Sequence, residues 1–283
     1  MSYSPSPRPT FDRTTAIPYA SVTRHLWGDP EAGEVADWIY VSSDKIHQLV
    51  FGLEPHGWFR HSDSFRTIFA ADELFYVLSG TMILCNPENG EVHRVEQGGA
   101  AFFRRDTWHH VFSEGPDELR ILELFAPPPS QGTSGKYAQA QPNLETSRYV
   151  RDELLGRWPM ERDAINATNT VTVIRDPDIL WRYEGECHRS LVGLYAATEH
   201  LTAGKITLQP GQQTDFQIHG GDESLLVTSG TIFLQGLDND GPAWLELNAN
   251  DGAYVPEGVR HRYWNRSGAP AELVFAVAPD YLP

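Results

Sequence analysis

Apolar residues in this chain come in short runs closed off by Gly, Pro, Asn and Asp, and few of them keep a helical period. The stretches "DELFYVLSGTMIL" (Asp72 to Leu84) and "DESLLVTSGTIFL" (Asp222 to Leu234) are representative. Each joins two runs rich in Val, Leu, Ile and Phe at a Ser-Gly pair. Runs of this kind predict β-strands, and the glycine at the junction predicts a tight hairpin turn with positive φ. The pattern is that of an all-β sandwich or barrel.

The same two stretches lie 150 positions apart and line up residue for residue. Further on, "WHHVF" around His109 matches "RHRYW" around His261, and "ILELFAP" (Ile121 to Pro127) matches "LVFAVAP" (Leu273 to Pro279), both at an offset of 152. A short insertion near "DNDGP" (Asp238 to Pro242) reconciles the two offsets. Register kept across three separated blocks means two copies of one module. The organisation expected is an N-terminal arm over residues 1–35, a first barrel over 36–128, a linker over 129–175 and a second barrel over 176–283. The arm is expected to lie across the other module or a partner. The linker is Pro-rich at its start, and "LETSRYVRDELLG" predicts a helix over 144–156, with Leu144, Val150 and Leu154 near one face and Gly156 closing it.

Composition narrows the function. The formal net charge of −16 repels phosphate backbones and anionic membranes, so neither nucleic acid nor a membrane surface is an expected partner. No apolar run approaches the roughly 20 residues of a membrane span, and the polar, Pro-rich start lacks the apolar core of a secretory signal. Two cysteines, Cys85 and Cys187, read as reduced thiols. The expectation is a cytoplasmic protein, with a homodimer as the candidate assembly, that handles a small-molecule substrate.

The chemistry gathers in the second module, in "FQIHGGDESLLVTSG" (Phe216 to Gly230). Gln217 and His219 share one face of a strand, and Glu223 returns beside them after a Gly-Gly turn. His261 arrives later, after the turn set by Pro256 and Gly258. Several polar side chains inside a small barrel need a reason, because unpaired buried polar groups are costly. Two imidazoles and one carboxylate are the donor set of a facial iron site with open positions, and they suit other divalent metals as well. Arg260 and Arg262 bracket His261 and can hold a substrate carboxylate. Tyr254 and Tyr263 flank the same histidine.

In the first module Glu73 and His109 keep the equivalent spacing, but Thr67 and Phe69 stand where Gln217 and His219 stand. Glu73 with His109 reads as a satisfied buried pair, and His110 as a surface residue. A longer loop carries His61 and Asp63, the only substitutes in view for the missing ligands.

These blocks resemble the cupin superfamily, whose first motif runs G-x5-H-x-H-x3,4-E-x6-G and whose second runs G-x5-P-x-G-x2-H-x3-N. "QIHGGDESLLVTSG" supplies Gln217 at the first His position, then His219, Glu223 and Gly230. "NDGAYVPEGVRHRYWN" supplies Asn250 for the leading Gly, then Pro256, Gly258, His261 and Asn265. The resemblance implies a bicupin, two jelly-roll barrels in tandem, with one divalent metal per chain in the C-terminal barrel and a degenerate, metal-free site in the N-terminal one. Iron is the favoured ion, with Mn, Ni and Zn as alternatives. Relatives of this kind include dioxygenases, decarboxylases, isomerases and epimerases. The donor set favours a dioxygenase-type oxidoreductase, with His219, Glu223, His261 and Gln217 as metal ligands. Glu223, Tyr254 and Arg260 are the candidate catalytic residues. A sugar isomerase, epimerase or lyase is the alternative, and a non-catalytic binding bicupin the second.

Overall fold

In the computed structural model, residues 6–128, 136–238 and 241–283 are described. The first five residues of the arm, the start of the linker at 129–135, and Asn239 with Asp240 of the inserted loop lie outside the described residues. Strands dominate, all paired antiparallel, and each half forms a jelly roll of one large and one small sheet.

The N-terminal half has a seven-stranded sheet centred on Asp72–Ser79 and Leu119–Ala126 and a four-stranded sheet centred on Thr81–Asn86. The C-terminal half repeats this with Asp222–Ser229, Ala271–Ala278 and, in a three-stranded sheet, Thr231–Asp238. The two Ser-Gly junctions are hairpin turns in which Gly80 and Gly230 take φ of 79° and 73°, where any side chain would be strained.

Alternation along the strands sorts side chains into three cores. Phe51, Phe75, Val77, Leu84 and Phe103 fill the first barrel. Val192, Ile206, Leu225, Ile232 and Phe275 fill the second. Between the barrels the large sheets pack face to face through Trp38, Tyr40, Tyr76, Tyr195, Tyr254 and Val274. Each such fully buried aliphatic or aromatic side chain contributes roughly 1.5–3 kcal/mol relative to an exposed one, so the interface between the barrels is a third hydrophobic core.

The halves also lend each other a strand. Thr15–Ile17, from the segment read as an arm, pairs with Gly252–Val255 at the edge of the C-terminal sheet. Val171–Ile174, from the segment read as linker, pairs with Ala100–Phe103 at the edge of the N-terminal sheet. Arg24–Asp29, also within the arm segment, is the far edge strand of the N-terminal sheet.

The helix expected over 144–156 does not form. Its only regular turn is a 3-10 turn at Asp152–Leu154, and the short α-helices lie at Lys136–Ala140 and Arg162–Asn166. The first barrel takes up this segment in another way. Leu144 packs beside Trp108 and Ile68, the Arg148 amide donates to the Pro87 carbonyl (2.8 Å), and Val150 stays exposed. A lone amphipathic stretch of this length is marginal as a helix in water, so contacts made residue by residue along a barrel wall outcompete it.

Candidate metal centre

The C-terminal barrel brings His219, Glu223 and His261 together. Their ligating atoms lie within 4.8 Å of one another, and all three side chains are buried. His219 sits in the loop entering Asp222–Ser229, Glu223 is the second residue of that strand, and His261 is the second residue of Arg260–Trp264. The loop is fixed by backbone pairing of Gln217 with His261 in both directions, at 2.7 and 2.9 Å, and by the Gly258 amide donating to the His219 carbonyl. Gly220 and Gly221 allow the turn: a Cβ on Gly221 would lie 2.3 Å from the Ala278 carbonyl oxygen.

The imidazoles are held in one tautomer. His219 Nδ1 donates to the Tyr281 carbonyl (2.6 Å) and His261 Nδ1 donates to the Val259 carbonyl (3.0 Å), which leaves each Nε2 as a lone-pair donor facing inward. Those Nε2 atoms lie 3.7 Å (His219) and 2.7 Å (His261) from Glu223 Oε2. His261 Nε2 and Glu223 Oε2 are close enough to share a proton, the Tyr263 hydroxyl lies beside the same carboxylate, and His219 Nε2 is left without a hydrogen-bond partner. Two imidazole lone pairs turned on one buried carboxylate are costly by themselves and become satisfied by a cation. The residues therefore fit a divalent metal.

Electrostatics agree with a carboxylate poised to stay charged. Burial pushes the Glu223 carboxyl up, but His261 and His219 more than offset it, so its pKa is lowered. Burial and the nearby Glu223 carboxylate hold the Tyr263 phenol well above its ordinary value, so it keeps its proton.

The other predicted residues fall differently. Gln217 shares the inward face with His261, its register partner, and is half-buried at the mouth of the barrel. Tyr254 is not brought to the site. It pairs with Ser224, one residue out of phase with Glu223, so it points into the interface between the barrels and donates to Asp222 (2.6 Å). Arg260 is likewise turned outward, with its guanidinium 4.5 Å from the Phe216 ring centroid on the exposed side of the strand. The reason is the same for both, because adjacent residues of a strand face opposite ways.

What the sequence reading missed is the mouth. A groove of about 360 Å3 opens beside His219, lined by Arg182, Tyr183, Glu184, Gln217 and Tyr281. The Tyr281 ring stacks on His219 with centroids 4.6 Å apart, and its hydroxyl donates to Glu184 (2.9 Å). Arg182 lies 3.0 Å from Glu184 and 5.8 Å from the Tyr281 ring. Nothing in the local sequence ties these residues to His219. Tyr263 was legible, since it follows His261 by two on the same strand.

The N-terminal barrel holds a second cluster. Glu73, His109 and Glu123 present ligating atoms within 4.8 Å of one another, all buried. Glu73 and His109 are not the satisfied pair expected: they lie 3.8 Å apart, and Glu73 Oε2 and His109 Nε2 are both without a partner. His61 is no substitute ligand here, because it faces His110 (2.7 Å) and the Leu144 carbonyl instead. Asp63 is exposed. His110 is buried rather than on the surface, held between His61 and the Tyr149 hydroxyl.

Residues 70–125 and 204–277 each match the Cupin domain family. The chain carries two cupin domains. Among solved structures, this bicupin is similar to an oxalate decarboxylase of Lactobacillus farciminis, at 12% identity over 97% of this chain and 88% of that one, with a TM-score of 0.64. It is similar to a Pseudomonas aeruginosa protein named for induction by glyoxylate, at 15% identity over 98% and 96%, with a TM-score of 0.66. AerE of Microcystis aeruginosa shares the fold at 9% identity over 91% and 97%, with a TM-score of 0.59. No curated protein matches the sequence. No helix among the described residues is long and apolar enough to cross a membrane.

Proposed function

We propose that this bicupin is a metal-dependent enzyme of the dioxygenase type, acting in its C-terminal barrel on a small aromatic or keto-acid-like substrate. The observation that carries the reading is the convergence of the buried ligating atoms of His219, Glu223 and His261 within 4.8 Å of one another, with the Tyr263 hydroxyl beside them. His219, Glu223 and His261 would hold the ion, with Gln217 as a weak fourth donor. When bound, iron supplies Lewis acidity and a redox couple for dioxygen.

The chain's own residues do the rest. The Tyr281 and Val259 carbonyls fix both imidazoles so that Nε2 faces the centre. Tyr263 keeps its phenolic proton and would offer it as a hydrogen bond to a substrate oxygen placed beside Glu223. Arg182 offers a guanidinium at the mouth for a substrate carboxylate, and Tyr183 and Tyr281 offer ring faces for an aromatic or conjugated body. The apolar walls of the barrel, Val227, Phe275 and Val277 among them, exclude bulk water.

The test is oxygen uptake by iron-loaded protein against catechols, diketones and keto acids. Oxygen consumption matched to product is the expected result, with no product under strict anaerobiosis. Product formed at an unchanged rate without oxygen would replace this reading by a lyase or isomerase. The lyase reading is the stronger of the two, given the shared fold with oxalate decarboxylases.

A further inference from the structure

Two of the interior differences between the barrels are reciprocal. Where the C-terminal barrel has His219 at the metal cluster, the N-terminal barrel has Phe69, whose ring lies against His109 with centroids 5.7 Å apart. Where the C-terminal barrel has Phe275, the N-terminal barrel has Glu123. The register proves the equivalence: Phe275 pairs with Leu225, and Glu123 pairs with Phe75, the residue at the same place in the repeat. An aromatic ring and a ligating group have exchanged places between the entry loop and the strand.

The geometry points to a second divalent-cation site in the N-terminal barrel, held by Glu73, His109 and Glu123, in which a carboxylate from strand Leu119–Ala126 stands in for the missing imidazole. Three observations support it independently of the acidic cluster itself. Glu73 Oε2 and His109 Nε2, on side chains 1% and 0% exposed, are aimed into the cluster with no partner. His109 Nδ1 donates to the Thr107 carbonyl (3.2 Å), two residues back, as His261 donates to Val259, so its Nε2 presents a lone pair. Glu123 also lines a cavity of about 50 Å3 with Asp37, His47 and Phe69, which opens the cluster on the side away from Glu73 and His109.

The donor sets also predict different ions. Two carboxylates and one imidazole make a harder site than two imidazoles and one carboxylate, so the N-terminal barrel should favour Mn(II), and the C-terminal barrel ions that prefer imidazole, such as Fe(II), Ni(II) or Zn(II). The N-terminal site stands whether or not the C-terminal barrel uses oxygen.

The test is Mn(II) binding to metal-stripped protein, followed by elemental analysis and electron paramagnetic resonance, in a variant lacking both His219 and His261. One Mn(II) per chain is expected to remain in that background. Adding Glu123→Leu should abolish it, and Glu123→Gln, which keeps the volume, should weaken it at least tenfold while circular dichroism stays unchanged. No Mn(II) bound in the His219, His261 background would overturn the proposal. So would one Mn(II) retained at unchanged affinity in folded Glu123→Gln.

Discussion

The two barrels share a topology and a core pattern, yet they treat a buried carboxylate in opposite ways. Glu223, with two imidazoles beside it, is pulled below its ordinary pKa. Glu73 sits with one imidazole and two further carboxyls; burial first, then Glu123 and Asp72, push it well above. Its neighbours follow: Glu123 is raised by burial and by Asp37, and Asp37 is raised by burial to about 8. Burial acts on both carboxyls alike, and the neighbours decide the outcome: imidazoles that can take up a proton beside Glu223, further carboxyls beside Glu73. The same fold thus makes one centre with a charged carboxylate and another that, without a cation, holds protons.

The sharpest way to break this comparison is to remove a C-terminal ligand. His219→Ala or Glu223→Ala should abolish activity and empty the C-terminal barrel of metal, as read by elemental analysis beside turnover. Activity surviving either change would mean that the chemistry is not in that barrel.

The next largest effect concerns protons in the N-terminal barrel. Unfolded, Asp37 titrates near about 4. Folded, it holds its proton up to about 8. Between those values the native state binds a proton that the unfolded chain has lost, so this contribution to stability is full below about pH 4 and is lost as pH rises through about 8. In metal-stripped protein, denaturant unfolding should show a decline on the order of a few kcal/mol across that window. Asp37→Asn should make the decline shallower, with Glu73 and Glu123 supplying what remains. An unchanged slope would show that Asp37 is already ionised in the native state.

The smallest effect belongs to Gln217. As a neutral amide at the mouth, it is expected to tune rather than hold the metal. Gln217→Ala should leave the ion in place and lower activity by about 10–100-fold, the range of supporting contacts around a metal. Loss of the metal would rank Gln217 with the imidazoles.

Much of this protein is written along its chain. The repeat, the strand alternation and the glycine turns specify two barrels, because a period of two with one apolar face leaves a strand little choice. The spacing of His219, Glu223 and His261 specifies the C-terminal cluster, since the intervening turns return each residue to the same interior. Tertiary structure decided what depends on a neighbour remote in sequence. Glu123 is a lone charge in the apolar run "ILELFAP", and only the register of Leu119–Ala126 beside Asp72–Ser79 brings it to Glu73 and His109. Tyr254 and Arg260 sit close to ligands in sequence but face away from them, because strand pleating separates adjacent side chains more strongly than sequence distance joins them. The segment 144–156 has the spacing of a helix, and the barrel wall displaces that helix by offering Leu144 and the Arg148 amide partners of their own.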